Sequence, residues 1–228
     1  MEKRKLIIGA YDTAVTGLWT LSACQLTKAE QVQTFVDVPG RYAPIDLSTY
    51  LTDGQPYYSS AALDATLESS DGDRSERLDR IMYMVGLLDG RTWQITHPDH
   101  PGRYLVGRVQ VYQMYNDLAH CAVRVSAICE PWLYNSDATT VALTATTDEK
   151  TVDLLNYGSM SVVPTIVVSD TATLVWGENT WTLSAGTYNL PDLCLMPGTG
   201  NGQPGETGLT YSGSGTVTIT YREAVLAV

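Results

Sequence analysis

The chain has 228 residues, of which 44% are hydrophobic and 17% are charged. This length supports one large β domain or two small ones, and this composition excludes a disordered protein, because there is enough apolar surface to form a core. The formal net charge is -11 and the sequence pI is about 4.5. Affinity for phosphate comes from Lys and Arg, so the charge excludes electrostatic binding to nucleic acid.

The charge is unevenly distributed along the chain. Residues 1–131 contain 12 basic and 16 acidic residues, a net charge of -4. Residues 132–228 contain 9 acidic residues but only 2 basic ones, Lys150 and Arg222, a net charge of -7. An acidic surface of this kind would let nucleic acid pass without binding it.

The four cysteines, Cys24, Cys121, Cys129 and Cys194, predict no disulfide framework. They form no CxxC pair, and a chain of this length needs no covalent staples. Cys121 and Cys129 lie in one strand-like run, about 26 Å apart at ~3.3 Å per residue, too far for a bond. We expect four small buried side chains in a protein made in a reducing compartment.

No targeting or membrane segment is predicted. The first nine residues contain an apolar run of only three residues, too short for a signal peptide. No apolar stretch approaches the length needed to span a bilayer, so we expect no membrane insertion.

One helix is predicted over residues 75–89, with Asp73 or Ser75 as the N-cap and Gly90 as the stop. Apolar residues with the spacing of one helical face are Leu78, Ile81, Met82, Val85 and Leu88. The opposite side is also partly apolar, with Tyr83, Met84 and Leu87. A helix that is apolar on more than one side is either deeply buried or packed against a second body.

Most other segments have the alternating pattern of strands. Residues 105–111 and 121–129 alternate between apolar and polar side chains and are separated by a turn sequence, so they predict a hairpin in a half-buried sheet. Pro131 then ends the second strand, because proline donates no hydrogen bond to a sheet. We place a domain junction at Pro131 and Trp132, which gives domains of residues 1–133 and 134–228.

The second domain has the pattern of a β-sandwich, with short strands and frequent turns. Residues 172–176 and 180–183 flank a hairpin turn, and residues 216–221 place Val217, Ile219 and Tyr221 on one face. Pro164 interrupts the apolar run of residues 162–168, so we expect that strand at a sheet edge. The Gly-rich run of residues 198–205 predicts a flexible loop.

Catalytic and metal sites are weakly indicated. The only histidines are His97, His100 and His120, and no serine lies in a nucleophile elbow. The sequence His97-Pro98-Asp99-His100 contains three metal-ligating side chains, but we favour a polar loop fixed by Pro98 and Pro101, since structural zinc sites usually show paired close spacings. We predict no catalytic residues, no metal and no cofactor. A hydrolase would instead require a His within hydrogen-bonding reach of a Ser, a Cys or a carboxylate.

Carbohydrate binding is the main alternative function. Trp176 and Trp181 flank the predicted hairpin and could face each other across two strands, where exposed rings would stack on a sugar. Core packing of the same rings is the competing explanation, and the sequence leaves both open.

The order of several short motifs resembles that of the distal tail proteins of long-tailed phages. These motifs are Tyr11-Asp12-Thr13-Ala14, Gly17-Leu18-Trp19, Val36-Asp37-Val38-Pro39-Gly40, Ile45-Asp46-Leu47-Ser48, Leu87-Leu88-Asp89-Gly90, Tyr104-Leu105-Val106-Gly107-Arg108-Val109 and Glu130-Pro131-Trp132-Leu133-Tyr134. The second half adds Asn156-Tyr157-Gly158, Val163-Pro164-Thr165-Ile166 and the final run of residues 215–222. The resemblance covers nearly the whole chain and depends on the order of motifs that are individually common.

The resemblance implies a mainly β protein of two β-sandwich-type domains. The first would be tail-tube-like with one flanking helix, and six copies would form a homo-hexameric ring at the end of the tail tube. The second would be galectin-like or jelly-roll-like and would carry tail-tip, baseplate or receptor-binding proteins for host adhesion. DNA would pass through the ring unbound, and the protein would be synthesised in the host cytoplasm and reside at the tail tip of the virion.

Candidate contacts between subunits follow from the apolar side chains that a ring would cover. On the helix the candidates are Tyr83, Met84 and Leu87, and the second candidate contact is the separate loop of Val38, Pro39, Gly40, Arg41 and Tyr42.

Overall fold

A computed structural model describes residues 4–14, 18–50, 56–198 and 202–227. The chain forms two compact units, Met1–Leu133 with Leu226–Val228, and Tyr134–Val225. Gly17 of the Gly-Leu-Trp motif and residues 199–201 of the Gly-rich loop lie outside the described residues. The last described residues belong to the first unit because the Ala227 N–H donates to the Pro131 carbonyl and the Ala227 carbonyl accepts from Ala29.

In its described residues, the first unit contains short and long strands and one helix. Its elements are β1 (Ile7–Ile8), β2 (Tyr11–Asp12), β3 (Thr20–Thr27), β4 (Phe35–Val36), β5 (Ile45–Asp46), β6 (Ala61–Ser69), α1 (Arg74–Leu88), β7 (Thr92–Thr96), β8 (Arg103–Asn116) and β9 (Cys121–Cys129). Seven of these strands form one continuous sheet in the order β2-β1-β7-β8-β9-β6-β3, while β4 and β5 pair separately.

The core of the first unit lies on one face of this sheet. Along β6, β8 and β9, buried and more exposed residues alternate, because successive side chains of a strand point to opposite faces. Leu63, Val109 and Val125 are 0% exposed, whereas Arg108 and Arg124 on the other face are exposed. The antiparallel pairing of β8 with β9 confirms the predicted hairpin.

Two strands lie where the chain passes between the units, β10 (Trp132–Asn135) and β19 (Ala224–Leu226), and they pair with each other. β10 also pairs with β8. The Tyr58 and Trp132 rings pack edge to face, with centroids 5.6 Å apart. Trp132 is therefore held by an aromatic contact within the first unit.

The second unit is a sandwich of two four-stranded sheets. Its strands are β11 (Thr139–Thr144), β12 (Lys150–Asn156), β13 (Thr165–Val168), β14 (Ala172–Trp176), β15 (Asn179–Leu183), β16 (Gly186–Asn189), β17 (Gly205–Gly213) and β18 (Thr216–Tyr221). The sheet orders are β11-β18-β13-β16 and β12-β17-β14-β15. Side chains of both sheets meet in one core that includes Ile166, Leu174, Leu209 and Ile219.

Over the described residues, the expected mainly β fold with one helix is confirmed. β18 buries Val217, Ile219 and Tyr221 as predicted. The edge position expected for residues 162–168 is wrong, because β13 pairs with β16 on one side and β18 on the other. Pro164 lies directly before β13, so its missing N–H removes no bond from the sheet.

Candidate assembly surfaces

The helix α1 has a defined start and one buried face. The Asp73 side chain accepts a hydrogen bond from the Glu76 backbone N–H (2.9 Å), and the Glu76 carboxylate accepts one from the Asp73 backbone N–H (3.1 Å). This reciprocal pair satisfies two N–H groups that have no partner within the helix. The buried face has residues at intervals of four and three, namely Arg77, Ile81, Met84 and Leu88.

The orientation predicted for α1 is wrong at three positions. Leu78 and Met82, expected in the core, are 40% and 62% exposed. Met84, expected in a subunit contact, is 0% exposed and therefore packs inside its own unit. Apolar residues on several sides of α1 allow more than one buried helical face, and the face that packs in the core is the one with Arg77, Ile81, Met84 and Leu88.

Arg77 is a fully buried charged side chain that connects α1 to the turn between β8 and β9. Its Nη1 donates to the Gly72 carbonyl (2.5 Å), and its Nη2 donates to the carbonyls of Asp117 (2.9 Å) and Leu118 (3.1 Å). A buried charge is tolerated when such acceptors replace its hydration. The guanidinium thus fixes the tip of the hairpin against the first turn of the helix.

The tip of the β8–β9 hairpin carries an apolar surface that sequence reasoning missed. Tyr112, Met114 and Tyr115 are 49%, 54% and 43% exposed, and Leu118 is 89% exposed. The pairing register shifts between Gln113 and Tyr115, which marks a bulge. The signal was available in the sequence, because the apolar and polar alternation of β8 ends after Val111.

A cleft lies along the flank of α1 that carries Tyr83. The cleft has a volume of about 330 Å³, and its lining residues are Tyr11, Leu18, Trp19, Asp79, Arg80 and Tyr83. Burial raises the pKa of Tyr11, while a hydrogen bond with Trp19 opposes the rise. Tyr83 is exposed and Leu87 is half-buried, so two of the three helix residues predicted for a subunit contact are accessible.

Residues 38–42 lie at the tip of a projecting ribbon, which we call the arm (residues 30–50). The arm begins where the Val32 N–H donates to the Tyr57 carbonyl (2.9 Å), and it continues as the β4–β5 pair. Every residue from 30 to 44 is exposed, including Tyr42 with a fully exposed side chain. The residues predicted for a subunit contact on this turn are therefore all accessible.

The two tryptophans proposed for sugar stacking are oriented toward the core of the second unit. Trp176 and Trp181 are both half-buried and pack against its apolar cluster. They are not directly opposite each other, because Trp181 pairs with Leu174 and Trp176 pairs with Asn179. The contacts of both rings with the core correspond to the core-packing explanation.

The three histidines lie in two separate turns, with His97 and His100 between β7 and β8. His97 is 4% exposed, its Nδ1 accepts a hydrogen bond from the Asp99 N–H (3.2 Å), and its ring centroid lies 5.6 Å from that of His100. Burial lowers the pKa of His97, while the nearby Asp99 carboxylate opposes the shift. His120 lies in the β8–β9 turn. Within the described ranges, no three His, Cys, Asp or Glu side chains are placed to hold a metal ion.

The cysteines are free thiols. Cys121 and Cys129 are buried, whereas Cys24 and Cys194 are half-buried, so the expectation of four buried cysteines is wrong for two of them. Among the residues described here, no helix is long and apolar enough to cross a membrane.

The comparison with known proteins rests on structure, since no family model and no curated protein matches the sequence. Among solved structures, the crystal structure of Dit (gp 19.1) of phage SPP1 matches with a TM-score of 0.65 and 16% sequence identity. The match covers 97% of this chain and 99% of that chain. The chain has the fold of Dit. The SPP1 protein is described as a paradigm of the hub adsorption apparatus in phages that infect Gram-positive hosts. The resemblance to distal tail proteins is thus confirmed at the level of the fold.

Proposed function

We propose that this chain is a structural protein of a phage tail tip, with the hub role described for Dit. The observation that carries the proposal is the extent of the match, which includes 97% of this chain and nearly all of Dit. A match to one unit would support only a shared domain. A match across both units in the same order supports a shared architecture and, with it, a shared role.

In this proposal, six copies form a ring at the distal end of the tail tube. The first unit makes the ring, and the second carries tail-tip and receptor-binding proteins. A ring needs two different surfaces on each copy, which meet head to tail. The first unit offers accessible apolar side chains on the arm and beside Tyr83 and Leu87, whereas Met84 is excluded by its burial.

The proposed ring would enclose a channel through which DNA passes during ejection. The chain carries 14 basic and 25 acidic residues, so it has little cationic surface to retain a polyanion. We assign the chain no catalytic role and place it in the virion. The carbohydrate-binding alternative loses its main support, because Trp176 and Trp181 pack against the core.

Light scattering across a range of concentrations tests the ring directly. Six copies of 24.9 kDa have a mass of about 149 kDa. A species of that mass, seen as an open ring by negative-stain electron microscopy, is the expected result. A monomer at every concentration would overturn the self-assembling ring, and a glycan screen would then be the next experiment.

A further inference from the structure

The arm has apolar side chains but no core of its own. Phe35, the single Phe of the chain, is 55% exposed, and Val36 and Tyr42 are 41% and 110% exposed. The β4–β5 pair contains only two residues in each strand. Isolated two-stranded ribbons are marginal in water, so the arm needs a second surface to cover its apolar side chains.

The cleft beside α1 is a concave surface that could receive such side chains. Its volume of about 330 Å³ is near the lower limit of ~300–1,000 Å³ for small-molecule pockets, so it suits one or two side chains better than a larger ligand. Tyr11, Leu18, Trp19 and Tyr83 supply its aromatic and apolar lining.

One pair of opposite charges is available between the tip of the arm and the cleft, and the arm also carries three carboxylates, Glu30, Asp37 and Asp46. Arg41 lies beside Tyr42 at the tip of the arm, and Asp79 lies on the wall of the cleft. Neither side chain forms an ion pair within the described part of the chain. The other charged residue of the cleft, Arg80, is already paired with Asp71 at 3.3 Å. One cation on the arm therefore matches one carboxylate in the cleft.

We infer that the arm of one copy inserts into the cleft of the next copy, with Tyr42 between the aromatic side chains and Arg41 opposite Asp79. The arm and the cleft are different surfaces, so the contact is head to tail, as a ring requires. The inference rests on the proposed ring and names the contact that would close it.

The size of the contact is sufficient to contribute to a stable interface. Tyr42 is fully exposed and would bury roughly 150–250 Å², whereas Phe35 is 55% exposed and would add at most about half as much. A standard interface buries about 800 Å² on each partner. The two rings would thus supply between about a third and a half of one side, and the neighbouring valines of the arm would add to it.

Charge reversal tests the pairing of the two residues. Arg41→Glu and Asp79→Arg each place like charges together, and each should raise the concentration for half-assembly at least about tenfold. The double variant Arg41→Glu with Asp79→Arg restores opposite charges and should recover assembly. Lys150→Glu, a charge reversal at an exposed residue of the second unit, is the matched control, and this variant should assemble normally. Both Arg41 and Asp79 are exposed, so circular dichroism should show folded monomers.

Cross-linking provides an independent test. A variant with Tyr42→Cys is mixed with a second variant with Tyr83→Cys, and disulfide formation is measured between the two chains. A cross-link in the mixture, above that of either variant alone, supports the inference. A wild-type ring that is unaffected by the charge reversals and gives no cross-link overturns the arm contact and leaves the proposed function standing. A wild-type monomer at all concentrations overturns the self-assembling ring and the contact together.

Discussion

Replacement of Arg77 by Met should destabilise the first unit by about 2–3 kcal/mol. The guanidinium donates three hydrogen bonds to backbone carbonyls, and hydrogen bonds to charged groups contribute about 1.5–3 kcal/mol each. The carbonyls belong to exposed residues, so hydrogen bonds with water would replace part of those that Arg77 makes. The substitution also removes a buried charge, which offsets a further part of the lost hydrogen-bond free energy, and Met keeps much of the apolar volume of the Arg77 side chain.

Urea unfolding measures this loss, and amide hydrogen exchange locates it. Exchange should accelerate most in residues 111–123, because Arg77 holds the hairpin tip to α1. Arg74→Met on the exposed side of the same helix is the matched control and should change the free energy of unfolding by no more than about 0.5 kcal/mol. A loss for Arg77→Met below about 1 kcal/mol, or no local change in exchange, would refute this role of the guanidinium.

Two further predictions concern backbone strain and a buried thiol. Gly213→Ala should destabilise the second unit more than Gly177→Ala in thermal unfolding. Both glycines have positive φ, so both substitutions strain the backbone. Only at Gly213 would the new Cβ also clash, because it would lie 2.3 Å from the Thr171 carbonyl oxygen, whereas a Cβ at Gly177 meets nothing within 4 Å. Equal losses would contradict the steric argument. Burial, with a smaller effect of Glu130, raises the pKa of Cys129 from 9.0 to about 12. The folded state therefore keeps a proton that the unfolded chain loses, so stability should fall as pH rises from about 9 toward 12, and Cys129→Ala should reduce that slope in urea titrations. An unchanged slope in the variant would exclude this thiol as its source.

The elements that depend on local sequence were predictable. The start of α1 was predicted at Asp73 or Ser75, and the structure has Asp73 as the N-cap, with Glu76 as its partner in a capping box of four residues. The β8–β9 hairpin and the inward face of β18 follow from alternation with a period of two, which is a property of each strand by itself. The resemblance to distal tail proteins could also be recognised from the sequence, because it depends only on the order and spacing of motifs along the chain.

Contacts between distant segments required the tertiary structure. Apolar residues on several sides of α1 are compatible with more than one buried face, and tertiary contacts, among them the bonds of Arg77 to carbonyls 40 and 41 residues away, decide between them. The interior position of β13 depends on its two neighbours in the sheet. Pro164 led to the wrong prediction of an edge strand, because it lies just before the strand and not within it. Exposure of Tyr42 and burial of Met84 likewise depend on what the rest of the chain covers. Periodicity defines which residues share a face, but burial is a long-range property that the folded chain alone decides.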